Sequence, residues 1–282
     1  MKSSTVKKSS SFLIAALLVG GYILNRGGWS ETESTGGIET IDSDVAQLLP
    51  SRVGNNQIVR HKAFVLSYND SHEQADWVFY KLTREMVTGA ATRNTEFVED
   101  KSVSSGTATT HDYSRTGFDR GHLCPSADIR NDEDAHDETY LMSNMSPQLH
   151  EFNAGIWNDL EMQTRSWAKK KGEVYVVVGP ILKGGLDKIE QYKKGKQETA
   201  RSHYNGVSVP KEFYKIIYSP KGEGRMIAYR LENKEYPENE NPNKYCVSVD
   251  AIEKETGIDF FPGVPNEAEL EKRLGGTSWW RE

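Results

Sequence analysis

The chain has 282 residues, with 35 Lys or Arg against 41 Asp or Glu and a formal net charge of −6. That length can enclose a sizeable core, and two cysteines, Cys124 and Cys246, are too few for a disulfide framework. The net charge by itself argues against a nucleic-acid binder, but residues 161–230 hold 15 Lys and Arg against 7 Asp and Glu, whereas residues 231–282 hold 6 against 12. A basic middle with acidic flanks fits a chain that meets phosphates on one face, and without a motif it fits an ordinary solvated surface equally well.

Residues 1–26 carry Lys2, Lys7 and Lys8, then an apolar run over residues 12–24, with no acidic residue before Glu31. The run is shorter than the ~17–25 residues that comfortably span a bilayer, and it has the layout of a signal peptide. No small-residue cleavage site follows it, so export and an uncleaved membrane anchor both stand. Organelle import fits less well, because no arginine precedes Arg26. Residues 27–55 read as a tether, with Gly, Ser, Thr and Glu prominent to about Ala46. Residues 56–282 carry no further linker and are expected to form one domain.

Within that domain, residues 63–68 and 77–82 have strand composition, with the turn-forming Asn69, Asp70 and Ser71 in their connection. Residues 154–170 repeat apolar side chains at helical spacing through Ile156, Trp157, Leu160, Trp167 and Ala168. Lys169, Lys170 and Lys171 before Gly172 are the favoured ending of such a helix. Residues 174–178 form an unbroken apolar strand, residues 211–219 and 225–230 a hairpin around a Pro- and Gly-containing turn, and residues 249–256 a short helix stopped by Gly257. The predicted fold class is α+β, with a central, mostly antiparallel sheet flanked by helices. Each cysteine is expected as a buried small hydrophobe, a single bridge between the two being the alternative in an exported protein.

The chemistry concentrates in residues 118–128. Asp119, Arg120, Gly121 and His122 gather a carboxylate, a guanidinium, a glycine that permits a close backbone turn, and an imidazole. Phosphodiester hydrolysis needs a base for water and positive charge for the phosphoryl oxygens, which His122 and Arg120 can supply. Asn153 and Glu161 place an amide and a carboxylate oxygen near the start of the long helix, a donor set for magnesium, with manganese as the alternative. Zinc is the weaker candidate, since only His122 and Cys124 approach a ligand spacing. Asn153 has a second reading as a helix cap. On a straight helix Asn153 and Glu161 would lie ~12 Å apart, which requires either a helix starting after Asn153 or a Glu161 acting through water.

The D-R-G-H stretch, together with Asn144–Gln148, Phe152–Glu161 and the strand ending Val178-Gly179-Pro180, resembles the endonuclease G-like, DNA/RNA non-specific endonuclease family. Residues 65–69, 77–83, 210–215 and 256–261 resemble further blocks in the same order. The resemblance implies a ββα-metal nuclease in which a hairpin carries the D-R-G-H residues and the following helix carries the metal ligand. By motif match it implies His122 as general base, Asn153 as direct metal ligand and Glu161 as holder of metal-bound water. Arg120 and Arg165 would contact phosphate, Asn144 would sit on the substrate side and support the site by hydrogen bonding, and Asp119 would orient its neighbours or the metal's water shell. DNA and RNA would be the substrates, a homodimer is admitted, and any membrane contact would run through the N-terminal segment. Two rivals stand beside this reading: a phosphodiesterase acting on small nucleotides, and a non-catalytic nucleic-acid-binding protein.

Overall fold

The computed structural model describes residues 43–92, 96–194, 204–274 and 278–281. The N-terminal segment 1–26 and the first part of the tether lie outside the described residues. Where the tether is described, it differs from expectation: Leu48 and Leu49 are buried, so the folded part begins several residues before 56. The reason is local, since two adjacent leucines ahead of Pro50 have apolar surface to bury and find it against Phe261 and Val264.

Nine strands are present among the described residues: β1 Gln57–Arg60, β2 Phe64–Asn69, β3 Gln74–Thr83, β4 Phe118–His122, β5 Met145–Leu149, β6 Glu173–Pro180, β7 Glu212–Ser219, β8 Arg225–Glu232 and β9 Cys246–Val247. Seven of them form one sheet in the order β1-β2-β3-β6-β7-β8-β9, with every neighbouring pair antiparallel. The remaining two, β4 and β5, make a separate antiparallel ribbon. Strand β3 starts at Gln74, three residues before the apolar run, because Gln74 and Asp76 are buried with hydrogen-bond partners of their own. The β7–β8 turn places Gly222 and Gly224 at φ of 68° and 79°, backbone that residues with a Cβ adopt with strain.

Alternation along the strands divides the core between two faces. Val174, Val176 and Val178 of β6, with Phe213 and Ile217 of β7, pack against Leu160, Trp167 and Ala168 of the long helix. Tyr175 and Val177 of β6, with Tyr214, Ile216 and Tyr218 of β7, face the other way, onto Val249, Ile252, Phe260 and Leu270. The helix Val249–Thr256 has the bounds its sequence predicts: Ser248 Oγ caps its start and Gly257, at φ 73°, its end. Regular α-helix in the long segment runs Asn158–Lys171 and ends at Gly172, at φ 94°. It starts later than residue 154 because Asn153–Trp157 forms a wide π-type turn, in which Gly155 sits at φ −97°, ψ −118°, outside the helical region. Both cysteines are free, Cys124 buried and Cys246 half-buried. No described helix is long and apolar enough to cross a membrane.

Gly179 shows how tightly the sheet is packed. A Cβ there would collide with the Asp76 carbonyl and the Tyr214 ring, both fixed by the bond from Tyr214 Oη to Asp76 O at 2.9 Å. Gly179→Ala should therefore lower stability by about 1–3 kcal/mol, the usual range for overpacking. An unchanged urea midpoint would show that the two strands can move apart freely.

Candidate active site

The ribbon β4–β5 pairs Asp119 with Gln148, Arg120 with Pro147, Gly121 with Ser146 and His122 with Met145. A Cβ on Gly121 would run into the Gln148 side chain, which is itself fully buried, so the glycine of the motif is set by close cross-strand packing. Ser146 Oγ donates to Gln74 Oε1 at 2.6 Å, and Gln74 Nε2 donates to Ser208 O at 2.7 Å. One glutamine of the central sheet thus fastens the ribbon in place.

Beyond His122 the chain is pinned by Asn144. Its Oδ1 accepts from Cys124 N at 2.8 Å, while its Nδ2 donates to Cys124 O at 2.9 Å and to Thr139 O at 2.8 Å. Asn144 is wholly buried, where the sequence analysis expected it on the substrate side. A side chain whose amide is saturated by backbone groups has neither donors nor exposure left for a phosphate.

Asp119 joins the ribbon to the helix. Its Oδ2 accepts from Asn153 Nδ2 at 3.0 Å and lies 2.9 Å from Nδ1 of the exposed His150. The bond to Asp119 raises the pKa of His150 above its ordinary value. Asn153 makes no side-chain cap, so the capping alternative falls away. With its NH₂ turned to a carboxylate, the amide presents Oδ1 to the opposite side, the orientation a hard cation requires.

His122 and Arg120 meet the same aromatic neighbour. Phe97 lies 5.7 Å from the His122 ring and 4.5 Å below the Arg120 guanidinium carbon, and Tyr140 meets His122 edge-on at 5.0 Å. Cation–π attraction and edge contacts hold both side chains against Phe97 and Tyr140.

Under the helix lies a charged cluster that the motif only hints at. Asp128, fully buried, accepts from Tyr80 Oη at 2.9 Å and from Arg165 at 2.8 Å, and Arg165 approaches Glu161 at 3.8 Å. Lys215 of β7 is also fully buried, with its ammonium 5.0 Å from the Trp157 ring centre. The Glu161 side chain is 13 % exposed, and burial pushes its pKa up to about 7. Lys215 and Arg165 pull against that rise, while Asp128 adds to it. Burial lowers the pKa of Lys215, with Glu161 and Asp128 opposing. The Cys124 thiol is pushed up by burial first and Asp128 second, which keeps it protonated.

Sequence reasoning gave no role to Lys215, Asp128 or His150. Lys215 had a visible signal: it occupies the inward register of an apolar strand, between Phe213 and Ile217. Arg165 was expected to face phosphate, whereas one of its nitrogens is committed to Asp128 and its side chain is only 14 % exposed.

A strand ribbon followed by a helix, with D-R-G-H on the first strand and Asn153 at the helix start, is the arrangement of a ββα-metal nuclease. The chain belongs to the DNA/RNA non-specific endonuclease family, whose model matches residues 46–267. It is 36% identical over 236 residues to a nuclease of Nostoc, a match covering 78% of this chain and 79% of that protein. It is 32% identical over 215 residues to mitochondrial endonuclease G of Homo sapiens, covering 75% of this chain and 71% of that protein. Mitochondrial nuclease EXOG of Danio rerio is 34% identical over 214 residues, and the chain spans 60% of its length. In a crystal structure of the EndoG/EndoGI complex, one chain superposes with a TM-score of 0.67 at 30% identity, covering 80% of this chain and 95% of that one.

Because the Asn144 amide bonds three backbone groups, Asn144→Ala should cost about 2–4 kcal/mol by stranding them. Denaturant unfolding measures this. A variant as stable as the parent but with weakened nucleic-acid binding would restore the substrate-side assignment.

Proposed function

We propose that this chain is an endonuclease that hydrolyses phosphodiester bonds of DNA and RNA with little sequence preference, with His122 as general base. The observation that carries the reading is the Asp119–Asn153 hydrogen bond, which engages the Asn153 NH₂ and so leaves Oδ1 as the end of the amide turned from that carboxylate. The donor set fits a hard cation: Asn153 Oδ1 would hold it directly and the carboxylate of Glu161 through water, which suits magnesium, or manganese. When bound, such an ion supplies Lewis-acid stabilisation of the departing 3′ oxygen.

The protein's own groups do the rest. The imidazole of His122, in its neutral form, takes a proton from the water whose oxygen attacks phosphorus, and the bond from phosphorus to the 3′ oxygen breaks. The product strand then carries a 5′ phosphate. Arg120 offsets charge on the phosphoryl oxygens, and Arg165 uses the donors left free by Asp128 toward the same phosphate. All these groups address the backbone and none a base edge, which accounts for weak sequence preference. Asp119 acts through Asn153, whose amide it orients.

The direct test digests supercoiled plasmid and single-stranded RNA with magnesium and with EDTA. Both substrates should be cut only with the metal. His122→Ala should lose at least about a hundredfold in turnover, and Asn153→Ala its metal-dependent activity. Cleavage of bis-p-nitrophenyl phosphate with plasmid left intact would point instead to a small-nucleotide phosphodiesterase. Undiminished cleavage by His122→Ala would end the base assignment.

Glu161 also gives the reaction a pH signature. Its folded pKa of about 7 lies above the ordinary carboxyl value, so its ionised fraction is small at pH 5 and grows through pH 7. Lys215 holds that pKa down, so Lys215→Met should move the acid limb of the kcat/KM profile to higher pH, by about one unit. An acid limb that stays in place would dissociate Glu161 from the reaction.

Several relatives carry names that place them in mitochondria. For residues 1–26 we retain a targeting or anchoring role. Cell fractionation of the full chain beside a version starting at residue 27 should show different partitioning, and identical partitioning would remove that role.

A further inference from the structure

The chain after β6 returns to the D-R-G-H strand and sets an aromatic ring beside it. Its short 3₁₀ turn Ile189–Tyr192 is anchored by Ile189, which is fully buried in a small core with Tyr113, Met145 and Val207. Phe118, the first residue of β4, packs on that same core. Tyr192, at the end of the turn, is 41% exposed, meets the Phe118 ring edge-on at 5.0 Å and donates from Oη to Asp187 Oδ2 at 2.9 Å. The two contacts hold the ring in place, and an edge-to-face pair covers at most one of its faces. Side chains alternate along β4, so Phe118 shares a face with Arg120 and His122. Tyr192 therefore extends that row at the end away from His122, about 13 Å along the strand.

Cations gather around this ring. Lys194 N donates to Arg115 O at 3.1 Å, and Lys193 Nζ donates to His111 O at 3.0 Å, so the chain after Tyr192 lies against the chain before β4. Arg115 takes left-handed backbone, φ 62°, which a residue with a Cβ adopts at a cost. Arg115 and Lys194 are exposed, and among the described residues neither has an ion pair. The acidic groups of the same stretch are engaged: Asp187 by Tyr192, and Glu190 by Tyr204 Oη at 2.7 Å. An exposed ring with uncommitted cations beside it is the composition that binds single strands, where bases stack on the aromatic and cations track the backbone. A duplex keeps its bases stacked on one another, so it meets the cations and not the ring. A protein partner would need far more buried surface than one tyrosine offers.

We propose that Tyr192, Arg115 and Lys194 form a subsite for single-stranded nucleic acid, in which an unpaired base stacks on the tyrosine ring and the flanking phosphates meet the two cations. The subsite rests on the nuclease reading for the strand's onward path to His122, and adds to it a preference for single strands over duplex. That preference is one of strandedness and not of sequence, since every base has a face to stack.

The test measures, by fluorescence anisotropy in EDTA, how the full chain carrying His122→Ala binds a labelled oligothymidylate and a labelled hairpin duplex. Adding Tyr192→Ala should weaken binding of the single strand about tenfold, the scale of one base–aromatic stack, and binding of the duplex less than about twofold. Tyr192→Phe, which keeps the ring and drops the bond to Asp187, should bind the single strand as tightly as its parent. Arg115→Ser together with Lys194→Ser should make the slope of log affinity against log salt shallower by about 1.4 on the single strand, while Tyr192→Ala leaves that slope unchanged. No binding of the single strand, equal binding by Tyr192→Ala and its parent, equal loss on both nucleic acids, or a loss as large in Tyr192→Phe would each overturn the proposal. Cleavage with magnesium by the chain with His122 intact reports on the nuclease reading separately. Cleavage beside binding that ignores Tyr192 sinks only the subsite, and Tyr192-dependent binding without cleavage sinks only that reading.

Discussion

The hydrogen bond between Asp119 Oδ2 and Asn153 Nδ2 is the constraint on which the site depends. It joins the first strand of the ribbon to the turn that leads into the helix, two elements that share no backbone ladder. It also decides which end of the Asn153 amide faces Asp119, because only the NH₂ group can donate to a carboxylate. Without it the asparagine could rotate, and its oxygen would lose a fixed direction. The wide turn at Asn153–Trp157 serves the same end, since it frees Asn153 from the regular ladder of the helix that carries Glu161.

Beneath that contact, the protein tolerates a costly arrangement. Asp128 and Lys215 lie wholly inside, and Glu161 and Arg165 nearly so. Isolated, each charge would cost several kcal/mol to bury. Together they offset one another: Arg165 bonds Asp128, Tyr80 completes that carboxylate, and Lys215 faces Glu161 across the core. The result is a carboxylate under the helix whose pKa burial pushes up to about 7.

Much of this was legible from residues alone, and the exceptions have physical causes. The valine run 174–178, the hairpin around Gly222 and Gly224, and the helix ended by Gly257 are stated by local chemistry: β-branched side chains, left-handed glycines, a serine cap. Asn144 was harder, because an asparagine reads the same whether its amide meets phosphate or backbone. The start of the long helix was misplaced because apolar spacing runs through Ile156 and Trp157 without registering the wider turn. Lys215 could be read from its inward register in an apolar strand, whereas Asp128 sits in the short turn Ser126–Asp128, which has no periodicity to show where its side chain points. Leu48 and Leu49 fold with the domain because contacts distant in sequence, from Phe261 and Val264, receive them.

The ribbon and the long helix all fall within residues 84–172, between β3 and β6, which are adjacent in the sheet and paired from Val78↔Val178 to Thr83↔Glu173. The chemistry is thus housed in one long excursion from an otherwise continuous antiparallel frame. Loop-closure entropy rises only with the logarithm of length, about 0.6 kcal/mol for each doubling. The frame therefore sets almost no thermodynamic limit on how much chain the excursion holds, and the parts that meet substrate can lengthen or shorten while the strands on either side keep their register.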